Sequence, residues 1–457
     1  MKKIKSKYQV NFFSKDEISV FDWLIFLAIG MLCICICLHG DIMHTIGASF
    51  TYLNGHILDF YDYNQTVPTI GGLAYLPSTY ILFAIWNIPI RLLGIVKEAV
   101  NIVPLFVVVW NKILTTLFYL GAGGVIYKIC ESSGMSKYYS KLCAFVFLTA
   151  PMGFFSQFIF GQYDVFTIFF VLLGYYYYLN DNTFKFILFF GIAITFKYFS
   201  LLIFVPLLLF KEKDILKIIL KGIAVGVPFF LEVLFYFQSE AFRNGVFGFG
   251  AKNYIFETGF TTTYFSLSVF IVGWMLINGW AYFENIENKE NKKNIFSWSI
   301  FFISLVLFLL FGMSMWHPQW LLFAMPFWSM GSMISKRKEA FLVLDIIMML
   351  LFVIFVVNIW ANGVDQYLLK DGLLGSYINK EFEMGMMMRD IFIINDTNLV
   401  YSFLSGLMAI NAIFKHPKYS VKDWSNLSVS TNLIRIRFII GVMIFLVPLV
   451  ICFYSIL

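Results

Sequence analysis

Long apolar runs, broken by short polar or basic loops, fill the chain, and the runs do not alternate with period two. They predict helices, because a backbone in lipid must satisfy its hydrogen bonds within each segment. A first span is expected at about residues 21–38, after a basic start with Lys2, Lys3, Lys5 and Lys7. No small-residue cleavage site follows, so it reads as a retained span. Further spans are expected near residues 104–127, 142–160, 165–179, 215–236, 263–283, 295–312, 319–333, 341–360, 400–414 and 438–457. Residues 184–210 are apolar apart from Lys197 near the middle and basic ends, which predicts two half-helices meeting at Lys197 and returning the chain to the side it left. Residues 75–93, interrupted by Pro77, Pro89 and Arg91, predict a helix lying in the membrane interface.

Charge sorts the loops. Lys128, Lys137 and Lys141, then Lys211, Lys213 and Lys217, then Lys289, Lys292 and Lys293, then Lys336, Arg337 and Lys338, then Lys415, Lys418 and Lys422 fall on one side. The positive-inside rule makes that side cytoplasmic, with the N-terminus. The stretch 40–72 carries Asp41, Asp59 and Asp62 without a Lys or Arg, and is expected outside together with 238–262 and 362–398.

Composition agrees with this pattern. Of 457 residues, 60% are hydrophobic and 13% charged, and the mean hydropathy is +0.80. A soluble domain carries about twice that share of charge. The expected class is an all-α polytopic membrane protein in the cell membrane, with the bilayer as its solvent. The net charge of +6 belongs to the loop lysines, not to a nucleic-acid surface. Cys33, Cys35, Cys37, Cys130, Cys143 and Cys452 lie in or beside apolar runs without metal-ligand spacing, and read as lipid- or core-facing. The tyrosines of 175–178 read as a lipid- or interface-facing belt.

The candidate chemistry collects on the outer side. Carboxylates at a membrane face are costly unless solvated or paired, so they are functional candidates. Asp41, Asp59, Asp62, Asp164 and His317 share that side, and Lys197 is the lone charge of a long apolar stretch. Each also has a plain structural reading: Asp164 as a cap for the following helix, Lys197 as an ion pair inside the bundle, Asp59 and Asp62 as solvated loop residues.

Several short motifs resemble those of the GT-C superfamily of integral membrane glycosyltransferases, in the bacterial mannosyltransferase-like branch that uses polyprenyl-phosphate sugars. They are Gly40-Asp41-Ile42, Leu53-Asn54-Gly55, Asp59-Phe60-Tyr61 and Tyr75-Leu76-Pro77; Gly161-Gln162-Tyr163-Asp164; Thr195-Phe196-Lys197 followed by Pro206; and His317-Pro318-Gln319-Trp320 with Pro326 beyond. Ser78 stands where that branch has a second proline. The likeness runs to about Pro326. It implies a bundle of about 11–13 transmembrane helices with interfacial helices in the first external loop. Residues 1–262 would form the catalytic module, with external loops 40–103 and 237–262, and 263–457 a variable C-terminal module.

The implied activity is that of a hexosyltransferase moving a sugar from a polyprenyl-phosphate donor to a hydroxyl of a cell-envelope glycan or lipid-linked acceptor. Asp41 would be the base. Lys197 would face the lipid phosphate, and Asp164, His317, Gln162, Gln319 and Lys252 would bind substrate. No cofactor is required by the resemblance; some members use a divalent cation such as Mg or Mn, and three external carboxylates permit one. Two other readings are a lipid-linked polysaccharide polymerase and a flippase or transporter. The last needs polar residues along a path through the midplane, whereas here they concentrate on one side.

Overall fold

Ser19 opens the first helix with a capping box, its hydroxyl receiving the Asp22 N–H while the Asp22 carboxylate receives the Ser19 N–H. The computed structural model describes residues 17–37, 39–67, 70, 72–100, 103–248, 254–284, 292–359, 384–425 and 427–454. The expected position Lys252, Lys289 and most of loop 362–398 lie outside the described residues. Helices α1 (Val20–Ile36) and α2 (Gly40–Leu53) meet at a bend of 72°. Residues 40–53, expected as loop, therefore form a second helix. Short helices α3 (Phe60–Thr66), α4 (Pro77–Trp86) and α5 (Ile88–Leu92) follow, and α2 packs on α4. Pro77 and Pro89 sit in the first turns of α4 and α5, where a missing N–H costs nothing.

Helix α6 (Leu105–Ser132) crosses the bundle, then α7 (Lys137–Leu148) leads into α8 (Pro151–Phe154) and a π turn, Phe155–Ile159. The expected single span 142–160 is bent here by 56°. Lys112 of α6 is buried at the joint and donates to the carbonyls of Cys37 (2.7 Å) and Phe158 (3.0 Å), which the ends of α1 and of the π turn leave open. Helices α9 (Val165–Leu179), α10 (Thr183–Phe196) and α11 (Ser200–Lys211) follow. The break expected at Lys197 is present. Pro206 does not break the chain; it lies within α11, and the Leu202 carbonyl it deprives of a partner accepts from Trp274 Nε1 at 3.1 Å. Phe186 of α10 stacks on Phe204 of α11, and Lys211 pairs with Asp181 at 2.6 Å, so the two helices form a hairpin with Lys197 at its tip.

Helix α12 (Ile215–Tyr236) returns to the tip side, where the Tyr236 hydroxyl meets those of Tyr52 (2.9 Å) and, by donation, the Ile57 carbonyl (2.8 Å). After α13 (Glu240–Phe242), a π turn and α14 (Tyr254–Glu257), a hairpin pairs Gly259–Thr261 with Ser266–Ser268. That hairpin delays α15 (Val269–Phe283) relative to the expected start at 263. The remainder is α16 (Lys292–Gly312), a 3-10 turn Pro318–Phe323, α17 (Met325–Ile334), α18 (Lys338–Ile359), α19 (Met384–Ile391), α20 (Thr397–Ile413) and α21 (Thr431–Tyr454).

The contacts define two ends. At one lie Asp22 with Arg435 (2.7 Å), Lys211 with Asp181, Lys292 with Asn180 (2.8 Å) and the Ser335–Ser420 bridge. At the other lie Asp41, Asp164, Lys197 and Gln319. Among the described residues five helices are long and apolar enough to cross a membrane, or seven if each bent pair is one crossing. The protein is thus an all-α, multi-pass membrane protein. The larger number of expected spans includes helices such as α9, α15 and α20. At 1.5 Å per residue their 15–17 residues fall short of about 30 Å of hydrocarbon. Tyr175 and Tyr178 are buried, with the Tyr175 hydroxyl 2.7 Å from Ser299 Oγ, so this half of the expected belt faces the core. No disulfide joins the six cysteines, all of which are among the described residues, and all but Cys35 are buried.

Candidate functional site

The bend after α1 puts Asp41 in the first turn of α2. His39 caps that helix, its Nδ1 accepting the Asp41 N–H at 3.3 Å while its ring meets Phe160 edge-on. The Asp41 carboxylate accepts a hydrogen bond from Gln319 Nε2 at 2.9 Å, yet 46% of the side chain stays exposed. A charge-assisted bond of this length fixes the carboxylate without covering it. Gln319 comes from the 3-10 turn, 278 residues away. Two separately expected residues, Asp41 and Gln319, are thus brought into direct contact.

The second arm of the site is the turn after the π helix. Gly161 has φ of +67°, and a Cβ there would lie 3.0 Å from Lys112 Cε and 3.3 Å from Ile42 Cδ1. Glycine is required both by the conformation and by the space. The Gln162 carbonyl Oε1 accepts the Tyr163 N–H, and its Nε2 is buried without a partner among the described residues. Tyr163 ties the turn to α2, its hydroxyl 3.1 Å from Thr45 Oγ1, and its ring meets Tyr75 edge-on.

Asp164 precedes α9 but makes no capping bond. It pairs instead with Lys197 at 2.5 Å, and both are buried, at 3% and 8% exposure. For Lys197 the ion-pair reading is therefore realised, and its partner is the other expected site residue. Lys197 Nζ also lies 4.6 Å from the centre of the Trp320 ring and 5.4 Å from that of Phe199. One 3-10 turn thus supplies both the Gln319 anchor of Asp41 and the ring that Lys197 faces. A cavity of about 40 Å³ opens beside this ammonium, lined by Tyr75, Leu76, Lys197, Phe199, Val246 and Trp320.

His317 begins the same turn, its ring 4.9 Å from Trp320 and 6.3 Å from Tyr254. Burial pushes its pKa down to about 4; Asp41 opposes this, and Lys197 and His39 add to it. With that shift the His317 ring is neutral at pH 7, so it is suited to hydrogen bonding and not to the part of a cation. Burial raises the Asp164 carboxyl above its ordinary value; Lys197 opposes this, and Asp41 adds to it. Those mutual effects place Asp41, Asp164, Lys197 and His317 in one electrostatic neighbourhood.

Asp59 is half-exposed and pairs with His56 at 2.9 Å. Asp62 is not a free loop residue: it accepts from Ser239 Oγ (2.8 Å) and the Ala241 N–H (3.3 Å), joining α3 to α13. Among the described residues no group of three or more His, Cys, Asp and Glu side chains is placed to hold a metal ion.

The sequence pattern points to Asp41, Asp164, Lys197, His317, Gln162 and Gln319 but not to Tyr75 and Trp320, which line the cavity beside Lys197, or to Tyr163, which packs on Tyr75. Tyr163 and Trp320 lay inside quoted motifs, next to Asp164 and Gln319, and adjacency was the available signal. Comparison with protein-family models, with curated proteins and with solved structures finds no match.

Proposed function

We propose that the protein is a membrane glycosyltransferase of GT-C type, a hexosyltransferase that moves a sugar from a polyprenyl-phosphate donor to a hydroxyl of a cell-envelope glycan or lipid-linked acceptor. The observation that supports this reading best is that an anchored, half-exposed carboxylate lies within electrostatic reach of a buried lysine at one end of a membrane bundle. Asp41 takes the proton of the acceptor hydroxyl as its oxygen attacks the anomeric carbon. The bond from that carbon to the phosphate oxygen breaks, and the polyprenyl phosphate leaves with the electron pair. Lys197 stabilises the phosphate; Asp164 accepts one of its three N–H groups and keeps the ammonium aimed. His317, neutral, and Gln162, with a buried amide still to be satisfied, contribute hydrogen bonds to substrate. Under this proposal the short apolar helices complete a bundle of 11–13 membrane segments, and the basic end, with the N-terminus, is cytoplasmic. The site then faces outward, where nucleotide sugars do not reach it.

The test is a donor comparison with purified protein. Transfer from a polyprenyl-phosphate sugar and none from the matching nucleotide sugar is expected. Direct use of the nucleotide sugar would contradict the proposal.

A further inference from the structure

Helix α12 stands at the edge of the bundle, with Ile219, Ile223, Phe230 and Leu234 exposed as lipid-facing side chains are. Where its last turns pass α4, a groove of about 540 Å³ opens to the side. Ile81, Ile85 and Ile88 form one wall, Leu231 and Phe235 the other. That volume falls in the range of small-molecule sites. The apolar walls run on into the exposed face of α12, so the groove is continuous with a surface suited to hydrocarbon and not to water.

One charged group lines it. Glu232 is the sole acid in the 22 residues of α12. Its Oε1 accepts the Ser78 N–H at 3.1 Å and also the Ser78 hydroxyl, at the start of α4. Its Oε2 is buried and has no hydrogen-bond partner among the described residues. No lysine, arginine or histidine pairs with Glu232 among those residues either. A carboxylate oxygen left alone beside hydrocarbon is costly, and a cation with N–H donors would remove that cost. A free amine in water would find no reason to enter an apolar groove; an amine carried on a lipid satisfies walls and carboxylate together.

We propose that the groove between α4 and α12 binds one membrane lipid with a primary ammonium head group, its N–H groups on Glu232 and a hydrocarbon chain along Ile81, Ile85, Leu231 and Phe235. The site is separate from the transfer chemistry proposed above. It touches that chemistry only through the chain itself, since Leu76 lines the cavity beside Lys197 and Ser78 follows two residues later.

Native mass spectrometry of the purified protein, offered phosphatidylethanolamine, phosphatidylcholine and phosphatidylglycerol of equal chain length, tests this. The three share the hydrocarbon and differ in the head group, and only the first carries a primary ammonium. Retention of the ethanolamine lipid about tenfold above the other two is expected. Glu232→Gln should abolish that preference in protein that remains monodisperse. Ile81→Trp, which fills the groove and leaves Glu232 in place, should abolish it as well, and decides the matter if the first variant does not fold. Equal retention of the three lipids, or a preference that survives either substitution in folded protein, would overturn the proposal. The readout is binding, so it stands whatever the donor assay shows.

Discussion

Two buried ion pairs divide the molecule. Asp164 and Lys197 belong to its first half; Asp345 and Arg437, 2.9 Å apart, belong to its second. Both unite charges far apart in sequence, and both lie within apolar surroundings. Their access differs. Arg437 is fully enclosed and donates also to the Val146 carbonyl at 2.5 Å, which holds α21 against α18 and α7, while its buried Nε has no hydrogen-bond partner among the described residues. Lys197 faces a cavity, two aromatic rings and, nearby, a half-exposed carboxylate. The same charge chemistry serves cohesion in one place and leaves an ammonium open to a ligand in the other. Burial of a pair does not by itself separate these roles; the space around it does.

The comparison can be broken by removing each cation. Arg437→Met leaves Asp345 without its bonded partner in the interior and is expected to cost about 3–5 kcal/mol of stability, read as loss of monodisperse protein or a fall in thermal midpoint. Lys197→Met should unfold the protein less, because Lys197 borders a cavity, whereas Arg437 is fully enclosed and bonds to two neighbouring helices. It should raise the donor KM about tenfold or more, equivalent to about 1.4 kcal/mol of lost binding. If the two variants lose equal stability and surviving Lys197→Met protein keeps its donor KM, the two pairs are alike and the contrast fails.

A smaller effect comes from His317. Its folded pKa of about 4 lies below the ordinary 6.5. The unfolded chain therefore takes up this proton first as pH falls, and stability declines from pH 6.5 toward 4, by at most about 1.4 kcal/mol per pH unit. Above pH 6.5 the contribution is complete. Thermal midpoints over this range should fall more steeply for the wild type than for His317→Gln; parallel curves would show that the ring is not held neutral by burial. Smallest of all is Asp59→Asn, at an exposed pair, with an expected change within about 0.5 kcal/mol and near-normal transfer. A large loss of activity there would move the site away from Asp41.

Much of the architecture was legible where a local pattern carries it. The apolar runs marked most helices. Lys197 marked the hairpin tip, because a lone charge in an apolar run has to reach an end or a partner. What remained hidden was pairing in space. Nothing local joins Asp164 to Lys197, Gln319 to Asp41 or Arg437 to Asp345, residues 33, 278 and 92 apart. Residues 40–53 read as loop because their acid and small residues lower the hydropathy, yet buried contacts with α4 make them a helix. Glu232 went unremarked although it carries a signal like that of Lys197, the one acid of an otherwise apolar and basic helix. Asp62 read as solvated because its partners, Ser239 and Ala241, lie in another loop.

The central claim is that Asp41 is the base of a sugar transfer at this site, and single-turnover transfer by Asp41→Asn tests it most directly. The amide is nearly isosteric and can still bond to Gln319, but it cannot take up a proton at neutral pH. With a polyprenyl-phosphate sugar as donor and purified, monodisperse protein, the rate should fall about a hundredfold or more, as when a general base is lost, while donor binding is retained. A near-normal rate for Asp41→Asn would contradict the account.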